Sequence, residues 1–325
     1  MKQVSMQMIA DALDISKNSV SQALRNENGV SEETKIIVRA KAEELGYKYA
    51  KQNRKEKGCF LIVATDFAFS QLSFFDKIIR SIEYTASHEK YKTERAVITE
   101  EMVNNKILPK NLSKYDGLFV ISHITDDYIS LLTQQDIPCV VVDHHSQKFL
   151  ADCILTNNRD GAYEAVKYLI SHENKNIGFI GDINFSPSYF ERYRGYVHTL
   201  EDFNIPVIEE YQITEIEENQ AVLFSKLKQI KNMPDAWFCV NSGLAYILNY
   251  YLQSEGYKVP EDISIICFDN TEFTQMSNPK ITNISTNLEF MGKQAVSSML
   301  ERLSHPATPI VYKQIMPSLI ILGTV

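Results

Sequence analysis

Residues 5 to 46 hold three short helical patterns, and each is preceded by a serine that can cap a helix. The first helix should begin at Ser5, whose hydroxyl can accept a hydrogen bond from a free backbone N–H. Its apolar residues recur at helical spacing and should share one face: Met8, Ile9, Ala12 and Leu13. Ser16 should cap a second helix, and a third should begin at Ser31 and stop at Gly46, a residue suited to the left-handed conformation after a helix. This spacing predicts a helix-turn-helix head.

The second of these helices separates apolar from polar side chains. Four apolar residues should be buried: Ile15, Val20, Ala23 and Leu24. Six polar residues should point outward: Lys17, Asn18, Ser19, Ser21, Gln22 and Arg25. Together with Ser5 and Ser16 they are the candidate DNA-binding residues, because such side chains can meet phosphates and base edges. A plain three-helix bundle is the alternative, but it leaves unexplained why the middle helix is short and has no acidic residue.

Length and charge indicate a second, larger part. The 325-residue chain exceeds the ~100–200 residues of one typical domain, and its 44% hydrophobic content suffices for a large core. Residues 1–58 carry 11 Lys/Arg against 8 Asp/Glu, whereas the remaining residues carry 22 against 33. A basic head gains affinity for DNA by releasing counterions from phosphates, whereas the same phosphates repel an acidic body. The body should therefore have a role of its own.

The cysteines and the apolar pattern bear on the compartment. The five cysteines form no C-x-x-C pair and lie far apart: Cys59, Cys139, Cys153, Cys239 and Cys267. They indicate reduced core thiols in a cytosolic protein. The sequence starts with helix-capping chemistry instead of an apolar leader, and no stretch approaches roughly 18 consecutive apolar residues. We therefore expect a cytoplasmic protein that is neither secreted nor inserted in a membrane.

Residues 48–58, KYAKQNRKEKG, are charged and nearly free of apolar side chains, which predicts a linker or hinge between a head (1–47) and a body (59–325). In the body, apolar runs typical of buried parallel strands alternate with helical patterns in two rounds. The strand patterns are CFLIVAT, TERAVIT, DGLFVIS, IPCVVVD and DCILTN, then NIGFIGD, EYQIT, DAWFCVN and ISIICFD. The helical patterns lie near Phe74–Glu89, Asp126–Gln135, Arg159–Ser171, Tyr189–Phe203, Gln220–Lys231 and Leu244–Glu255. This alternation predicts an α/β fold with two doubly wound parallel sheets.

Segments along the whole chain resemble the LacI/GalR family of bacterial transcription regulators. In the head they are MIADALDISKNSVSQALRN and GVSEETKIIVRAKAEELGY. In the body they are DGLFVIS, IPCVVVD, NNRDGAYEAVKYLI, NIGFIGD, RYRGY, PDAWFCVN, VPEDISIICFDN, NPKITNIS and MGKQAV. Each segment alone is weakly specific, but their order and spacing together are strongly so.

The resemblance implies a homodimeric repressor or activator whose two-lobed body is shaped like a periplasmic sugar-binding protein. A small effector bound between the lobes would change the affinity of the head for an operator in double-stranded DNA. The chain would pass between the lobes several times and return to the first from about Ile284. The implied bounds are 59–156 and 286–316 for lobe 1, and 157–285 and 317–325 for lobe 2. In the head, Lys17, Asn18 and Gln22 match the family's base-reading positions.

Polar residues directly follow strand patterns of the body, at the edge where wound sheets bind ligands. Asp269 follows ISIICF, Asn241 follows WFCV, and His144 follows PCVVV together with Asp143. An aspartate and an asparagine at such places could instead cap the following turn or bind backbone groups. A carboxylate can hold two neighbouring hydroxyls of a sugar, which favours a sugar effector.

Two further candidates come from a helix start and from the resemblance. Arg192, in RYRGY, matches the arginine with which the family grips effectors. Phe74 or Phe75 could lie against the apolar face of a sugar, but residues at successive helix positions cannot both face a cleft. The predicted effector-binding set is Phe74, His144, Arg192, Asn241 and Asp269.

The chain departs from the family pattern where the ligand and the DNA would bind. Asn157, Ser242 and Asn270 each stand where the family usually has an aspartate. The identity of the effector therefore cannot be transferred. In the linker, a gapless alignment puts Glu56 where the family has a leucine that wedges into the minor groove. We expect an electrostatic grip there that bends DNA little.

Other classes of function are disfavoured. The sequence has no G-x-G-x-x-G, G-x-x-x-x-G-K-[ST], G-x-S-x-G or H-E-x-x-H motif, so we predict neither an enzyme nor a cofactor. His144 and His145 lack the partnered Cys/His spacing of a metal site, so no metal is expected. The sequence predicts a DNA-binding repressor of a sugar-utilisation operon under control of a sugar. The alternative is a regulator of the same family that responds to a protein partner.

Overall fold

The computed structural model describes residues 4–25, 29–47, 56–121 and 124–325. It divides the chain into two compact units, Met1–Lys57 and Gly58–Val325, which we call the head and the body. Most of the predicted linker, residues 48–55, lies outside the described residues. The side chain of Glu56, at the predicted wedge position, is exposed.

Three helices form the head: α1 (Met6–Leu13), α2 (Lys17–Leu24) and α3 (Glu32–Glu44). The predicted serine caps are present, since Ser5, Ser16 and Ser31 each accept a hydrogen bond from the backbone N–H three residues on. These bonds satisfy N–H groups that have no partner within their own helix. Gly46 has a φ of +72° after α3, as expected of a residue that ends a helix.

The buried face of α1 differs from the predicted one. Ile9 and Leu13 pack into the head core together with Met6 and Ala10. Met8 is 42% exposed and Ala12 is exposed as well, so these two assignments were wrong. The spacing 6, 9, 10 and 13 is the i, i+3, i+4, i+7 series that lies on one side of a helix, and positions 8 and 12 fall outside that stripe. The core of α2 is as expected, with Val20, Ala23 and Leu24 buried and Ile15 packed against them.

Two six-stranded sheets form the body. The first contains β1 (Gly58–Ala64), β2 (Tyr91–Val97), β3 (Gly117–Ile121), β4 (Cys139–Val142), β5 (Asp152–Thr156) and β11 (Tyr312–Ile315). The second contains β6 (Ile177–Ile180), β7 (Gln212–Ile213), β8 (Ala236–Cys239), β9 (Ser264–Phe268), β10 (Thr282–Ser285) and β12 (Ser318–Ile320). Their orders are β11-β5-β4-β3-β1-β2 and β12-β10-β9-β8-β6-β7. All pairings are parallel except that of β12 with β10.

Helices cover both sheets and define two lobes. The first lobe has α4 (Asp66–Ser70), α5 (Phe75–His88), α6 (Glu100–Asn104), α7 (Asp126–Thr133) and α13 (Leu288–Ser304). The second lobe has α8 (Asn158–Ser171), α9 (Pro187–Asp202), α10 (Gln220–Leu227), α11 (Ser242–Ser254) and α12 (Glu272–Met276). In β1, Phe60 and Ile62 join one apolar cluster while Leu61 and Val63 join another. Both faces of the strand are therefore buried, which is why it has a continuous apolar sequence.

Among the helices that the structure describes, none is long and apolar enough to cross a membrane.

The chain passes between the lobes three times: after β5, after β10 and after β11. The first two crossings touch, because the hydroxyls of Thr156 and Thr286 are 3.1 Å apart. The helix α13 follows β10 in sequence, after all of the second lobe except β12, and packs against α5. Its Arg302 donates hydrogen bonds of 2.8 and 3.0 Å to the carboxylate of Asp152 in β5. This partly buried ion pair fixes the end of α13 to the first sheet.

The second lobe depends on a close contact between α8 and α9 at Gly195. A side chain at position 195 would overlap the carbonyl oxygen of Arg159 and would lie 2.8 Å from the Cβ of Ala162. The absence of a Cβ therefore sets the distance between the two helices. Because Arg192 is one turn away on α9, the same contact positions the arginine that was predicted to bind the effector.

We expect Gly195→Ala to lower the free energy of unfolding by about 1–3 kcal/mol, because the added methyl group forces two backbones apart. Urea unfolding followed by fluorescence measures this change. The control is Lys167→Ala, at an exposed position of α8, which should change the stability by less than about 0.5 kcal/mol. Equal stability of the Gly195→Ala variant and the native chain would show that the two helices are not held at this distance.

Candidate functional site

The outward face of α2 in the head carries the predicted DNA-binding side chains. Lys17, Asn18 and Arg25 are exposed, and Gln22 lies against Gly29, whose φ is +117°. A Cβ at Gly29 would lie 3.4 Å from the amide oxygen of Gln22, so the glycine leaves room for this side chain. Three donor-bearing side chains thus lie on one accessible helix face: Lys17, Asn18 and Gln22.

The predicted serines of the head have mainly local partners. Ser5 and Ser16 act as helix caps, and the hydroxyls of Ser16 and Ser19 are 2.8 Å apart. The backbone carbonyl of Ser21 accepts a hydrogen bond from Nε of Arg25 at 3.3 Å. These residues therefore shape the helix, and any contact they make with DNA would come in addition to that role.

A cavity of about 530 Å³ lies between the two lobes of the body. Asp143 and Asp269 both border it, and they directly follow β4 and β9, the third strand in the order of each sheet. Both have a left-handed backbone, with φ of +60° and +69°, and both donate their N–H to the neighbouring strand, to Ile154 and Ile284 respectively. The two aspartates thus occupy equivalent places in the two lobes, at the edge where wound sheets bind ligands.

Arg192 lies at the cavity wall, is 2% exposed and is held by hydrogen bonds and by an aromatic ring. Its Nη1 donates to Oδ2 of Asp269 at 2.9 Å and to the carbonyl of Val240 at 2.8 Å, while its Nη2 donates to Oδ1 of Asp269 at 3.3 Å. Its Nε donates to Oδ1 of Asn158 at 2.9 Å. The guanidinium carbon also lies 3.8 Å from the ring centroid of Phe268. Four hydrogen bonds and an aromatic face offset the cost of burying this charge.

Asn241 combines a structural position with a place in the cavity wall. Its Oδ1 accepts the N–H of Leu244 and caps α11, while its Nδ2 donates to Oη of Tyr189 at 2.7 Å and to Glu218 at 2.8 Å. The prediction that Asn241 binds a backbone group is therefore confirmed, although the residue also borders the cavity. It keeps an aromatic hydroxyl and a carboxylate in place on the same wall.

Phe74 and Phe75 both border the cavity, contrary to the expectation that only one could. Phe74 precedes α5 with φ of −124° and ψ of −80°, so the two residues are not at successive positions of a helix. Their rings meet edge to face, with centroids 4.9 Å apart. The cavity therefore has a broader aromatic wall than the sequence predicts.

His144 is a correction to the predicted set, because it does not border the cavity. Its Nε2 lies 2.7 Å from Oδ1 of Asp126 at the start of α7, and its ring lies 5.9 Å from that of Phe149. The left-handed turn at Asp143 directs the carboxyl of that residue to the cavity and the next side chain towards α7. The residue after it, His145, crosses to the second lobe and lies 2.7 Å from Oε1 of Glu191.

Asp143 has an unusual environment for a carboxyl group. It is 8% exposed, and its buried Oδ1 has no hydrogen-bond partner among the described residues. Burial raises the pKa of Asp143 to about 7; Arg192 opposes this rise, and Asp269 and Glu191 add to it. A carboxyl that is buried without a donor is costly to ionise.

Several residues that border the cavity were not predicted: Phe67, Phe185, Tyr189, Glu218, Thr271 and Phe273. Most of them lie in loops or in helices too short to show a period, so the local sequence gives no signal for them. Asp143 could have been selected by the rule that selected Asp269, since both directly follow a buried strand. Within the described ranges, no group of three or more His, Cys, Asp and Glu side chains is arranged to hold a metal ion.

Comparison with known proteins extends the resemblance. A family model described as a periplasmic binding protein-like domain matches residues 166–325. The probable HTH-type transcriptional repressor ExuR of Bacillus subtilis (strain 168) is 27% identical over 318 residues, which cover 94% of this chain and 93% of that protein. A solved complex of the transcriptional regulator CelR with cellobiose has a TM-score of 0.74 at 18% identity and covers 99% of this chain and 100% of its own. The lac repressor dimer bound to operator and the anti-inducer ONPF has a TM-score of 0.69 at 19% identity and covers 99% of both chains.

The two structural likenesses show a shared fold, a helix-turn-helix head followed by a two-lobed α/β body. The curated relatives match nearly the whole chain and are repressors of transcription, not enzymes. The carboxylates and the arginine at the cavity stay a predicted effector site.

We expect Asp143→Asn to stabilise the protein more at high pH than at low pH. A raised pKa means that the native state keeps its proton where the unfolded state has lost it. The resulting penalty is absent below the unfolded pKa, grows as the pH rises and is complete above the folded pKa near 7. The gain in the free energy of unfolding should be larger by about 2 kcal/mol at about pH 8.5 than at about pH 5.5.

Urea unfolding at the two pH values measures this difference, and any cost of the new amide group is common to both. Asp127→Asn, which removes an exposed carboxylate on α7, is the control and should show no such growth with pH. A gain that is the same at both pH values would mean that Asp143 has a donor in solution.

Proposed function

We propose, from the resemblance to the LacI/GalR family and from the transcriptional repressors that match almost the entire chain, that this protein represses a sugar-utilisation operon and responds to a sugar bound in its body. The relatives support the role as a repressor, and the cavity of about 530 Å³ supports a bound sugar. Because the target is DNA, we place the protein in the cytoplasm.

The head would read the operator with the outward face of α2. Lys17 and Gln22 have donors suited to guanine and adenine edges, and Asn18 can pair with adenine. A single head has too few such groups for operator-level affinity, so we propose that two copies of the chain act together on a pseudo-palindrome. The lac repressor, whose fold this chain shares, was solved as a dimer on its operator.

The cavity has the features of a sugar site. Its volume is in the range of small-molecule sites, roughly 300–1,000 Å³. Asp269 and Asp143 can accept hydrogen bonds from hydroxyls, and Phe74, Phe185 and Tyr189 can lie against apolar sugar faces. CelR, which shares the fold, was solved with cellobiose. The single observation that supports an effector is that side chains of both lobes border one cavity.

A chain of hydrogen bonds connects this cavity to the contact between the lobes. Arg192 binds Asn158 through Nε, and Nδ2 of Asn158 donates to Oε2 of Glu191 at 3.0 Å. The other oxygen of Glu191 bonds to His145 of the first lobe. A ligand that binds Asp269 or Arg192 would therefore favour one arrangement of the lobes, and allostery requires such differential affinity.

On DNA reading, we expect Gln22→Ala to weaken binding to the operator by about 1–3 kcal/mol and to leave binding to random DNA almost unchanged. Gel shifts with both DNAs at one salt concentration measure the ratio. Gln7→Ala, which removes a second glutamine of the head on α1, is the control and should keep the ratio within about twofold. If binding to both DNAs fell equally, Gln22 would contact phosphate and the base-reading assignment would be wrong.

On the effector, we expect sugars that bind the cavity to stabilise the full-length protein by ~2.7 kcal/mol at 100 times their dissociation constant. Phe185→Ala should weaken that binding about tenfold, because a ring beside Tyr189 is lost from the wall. Phe203→Ala removes another exposed ring, at the end of α9 and outside the cavity, and should leave sugar affinity unchanged. Intact operator binding without a response to any small molecule would favour control by a protein partner.

A further inference from the structure

The charges that border the cavity are strongly unequal. Four acidic side chains border it: Asp143, Glu218, Asp269 and Glu272. Among the described residues that border it, the only basic side chain is Arg192. A ligand that enters the cavity therefore meets an excess of negative charge in a space where burial strengthens electrostatic interactions.

Arg192 is already engaged by one of these carboxylates. Its two terminal nitrogens both bind the carboxylate of Asp269, and its remaining bonds go to Asn158 and to the carbonyl of Val240. The positive charge is thus matched by Asp269, and Asp143, Glu218 and Glu272 are left without a cation of their own in the wall. A phosphorylated sugar or a sugar acid would have to approach these carboxylates with its own negative charge.

Asp143 is a buried carboxyl of this wall, and no arginine binds it among the described residues. Unlike its counterpart Asp269, it is not paired with an arginine, and its buried Oδ1 has no hydrogen-bond donor among the described residues. Glu218, in contrast, is exposed and accepts a hydrogen bond from Asn241. The two equivalent aspartates of the lobes therefore differ in one respect: the second lobe supplies a cation for its own, and the first lobe does not.

The walls around Asp143 suit a group that is both cationic and attached to a polyol. Phe74, Phe185 and Tyr189 border the same cavity, and aromatic faces attract cations as well as the apolar face of a sugar ring. Hydroxyl and amide groups border it too, on Ser70, Gln71 and Ser188, and they can bind sugar hydroxyls.

We propose that the effector is an amine-bearing sugar whose ammonium group binds the carboxylate of Asp143. In this position the ammonium supplies Asp143 with the positive charge that Arg192 supplies to Asp269. The inference rests on the proposed function, since it takes the cavity as the effector site. It adds a selection rule: amino sugars are favoured over neutral sugars, and anionic sugars are rejected.

The test is calorimetric titration of the full-length protein at about neutral pH with matched sets of ligands. Each set contains an amino sugar, its N-acetyl derivative, the parent sugar and its uronate or 6-phosphate; the amino sugars are glucosamine, galactosamine, mannosamine and the β-1,4-linked dimer of glucosamine. We expect one amino sugar to bind at least about tenfold more tightly than its N-acetyl derivative and its parent, and the anionic member of its set to bind most weakly. The same amino sugar should change operator affinity in a gel shift.

The variant Asp143→Asn should reduce the preference for the amine to about twofold or less, because it removes the charge but keeps the shape. Asp127→Asn, outside the cavity, should retain the full preference. A parent or anionic sugar that binds as tightly as the amine, or an amine preference that persists in Asp143→Asn, would overturn the inference and leave the proposed function intact. If no member of any set binds while operator binding is intact, the sugar effector itself is refuted, and the inference falls with it.

Discussion

The buried ion pair between Arg192 and Asp269 is the interaction on which the second lobe's binding surface depends. It joins α9 to the end of β9, and the same guanidinium holds the end of β8 through Val240 and the start of α8 through Asn158. A buried pair repays its desolvation only when its remaining hydrogen-bonding groups are satisfied, and here all three guanidinium nitrogens have partners. Loss of Arg192 would therefore disturb four elements at once, so a binding defect in such a variant must be separated from a loss of structure.

Much of the fold follows from the sequence, because a parallel strand that is buried on both faces has a continuous run of apolar residues. The same apolar runs show where the strands end, and Asp269 and Asn241, which follow two of them, both border the cavity. The prediction fails at the end of β4, where a left-handed turn at Asp143 leaves Asp143 at the cavity and His144 beside Asp126. The helices α4, α6 and α12 were not predicted because five residues are too few to display a helical period.

The two lobes have equivalent sheets, but the equivalent aspartates in them have different partners. In each sheet an aspartate with a left-handed backbone directly follows the third strand, yet Asp269 is paired with an arginine of its lobe and Asp143 is not. The pairing also reaches the boundary between the lobes, through Asn158 and Glu191 to His145. Sequence alone could not reveal this difference, because it arises from contacts between residues that are far apart in the chain.

The placement of α13 has a consequence for how the chain is made. Met291, Ala295, Val296 and Met299 of this helix complete the apolar cluster on one face of the first sheet, and Met299 fills the space above Gly117. Because α13 follows β10 in sequence, the ribosome must make all of the second lobe except β12 before it releases the helix that covers the first. During synthesis one apolar face of the first sheet therefore stays exposed until α13 is released. In that interval the nascent chain can aggregate or bind chaperones through this face.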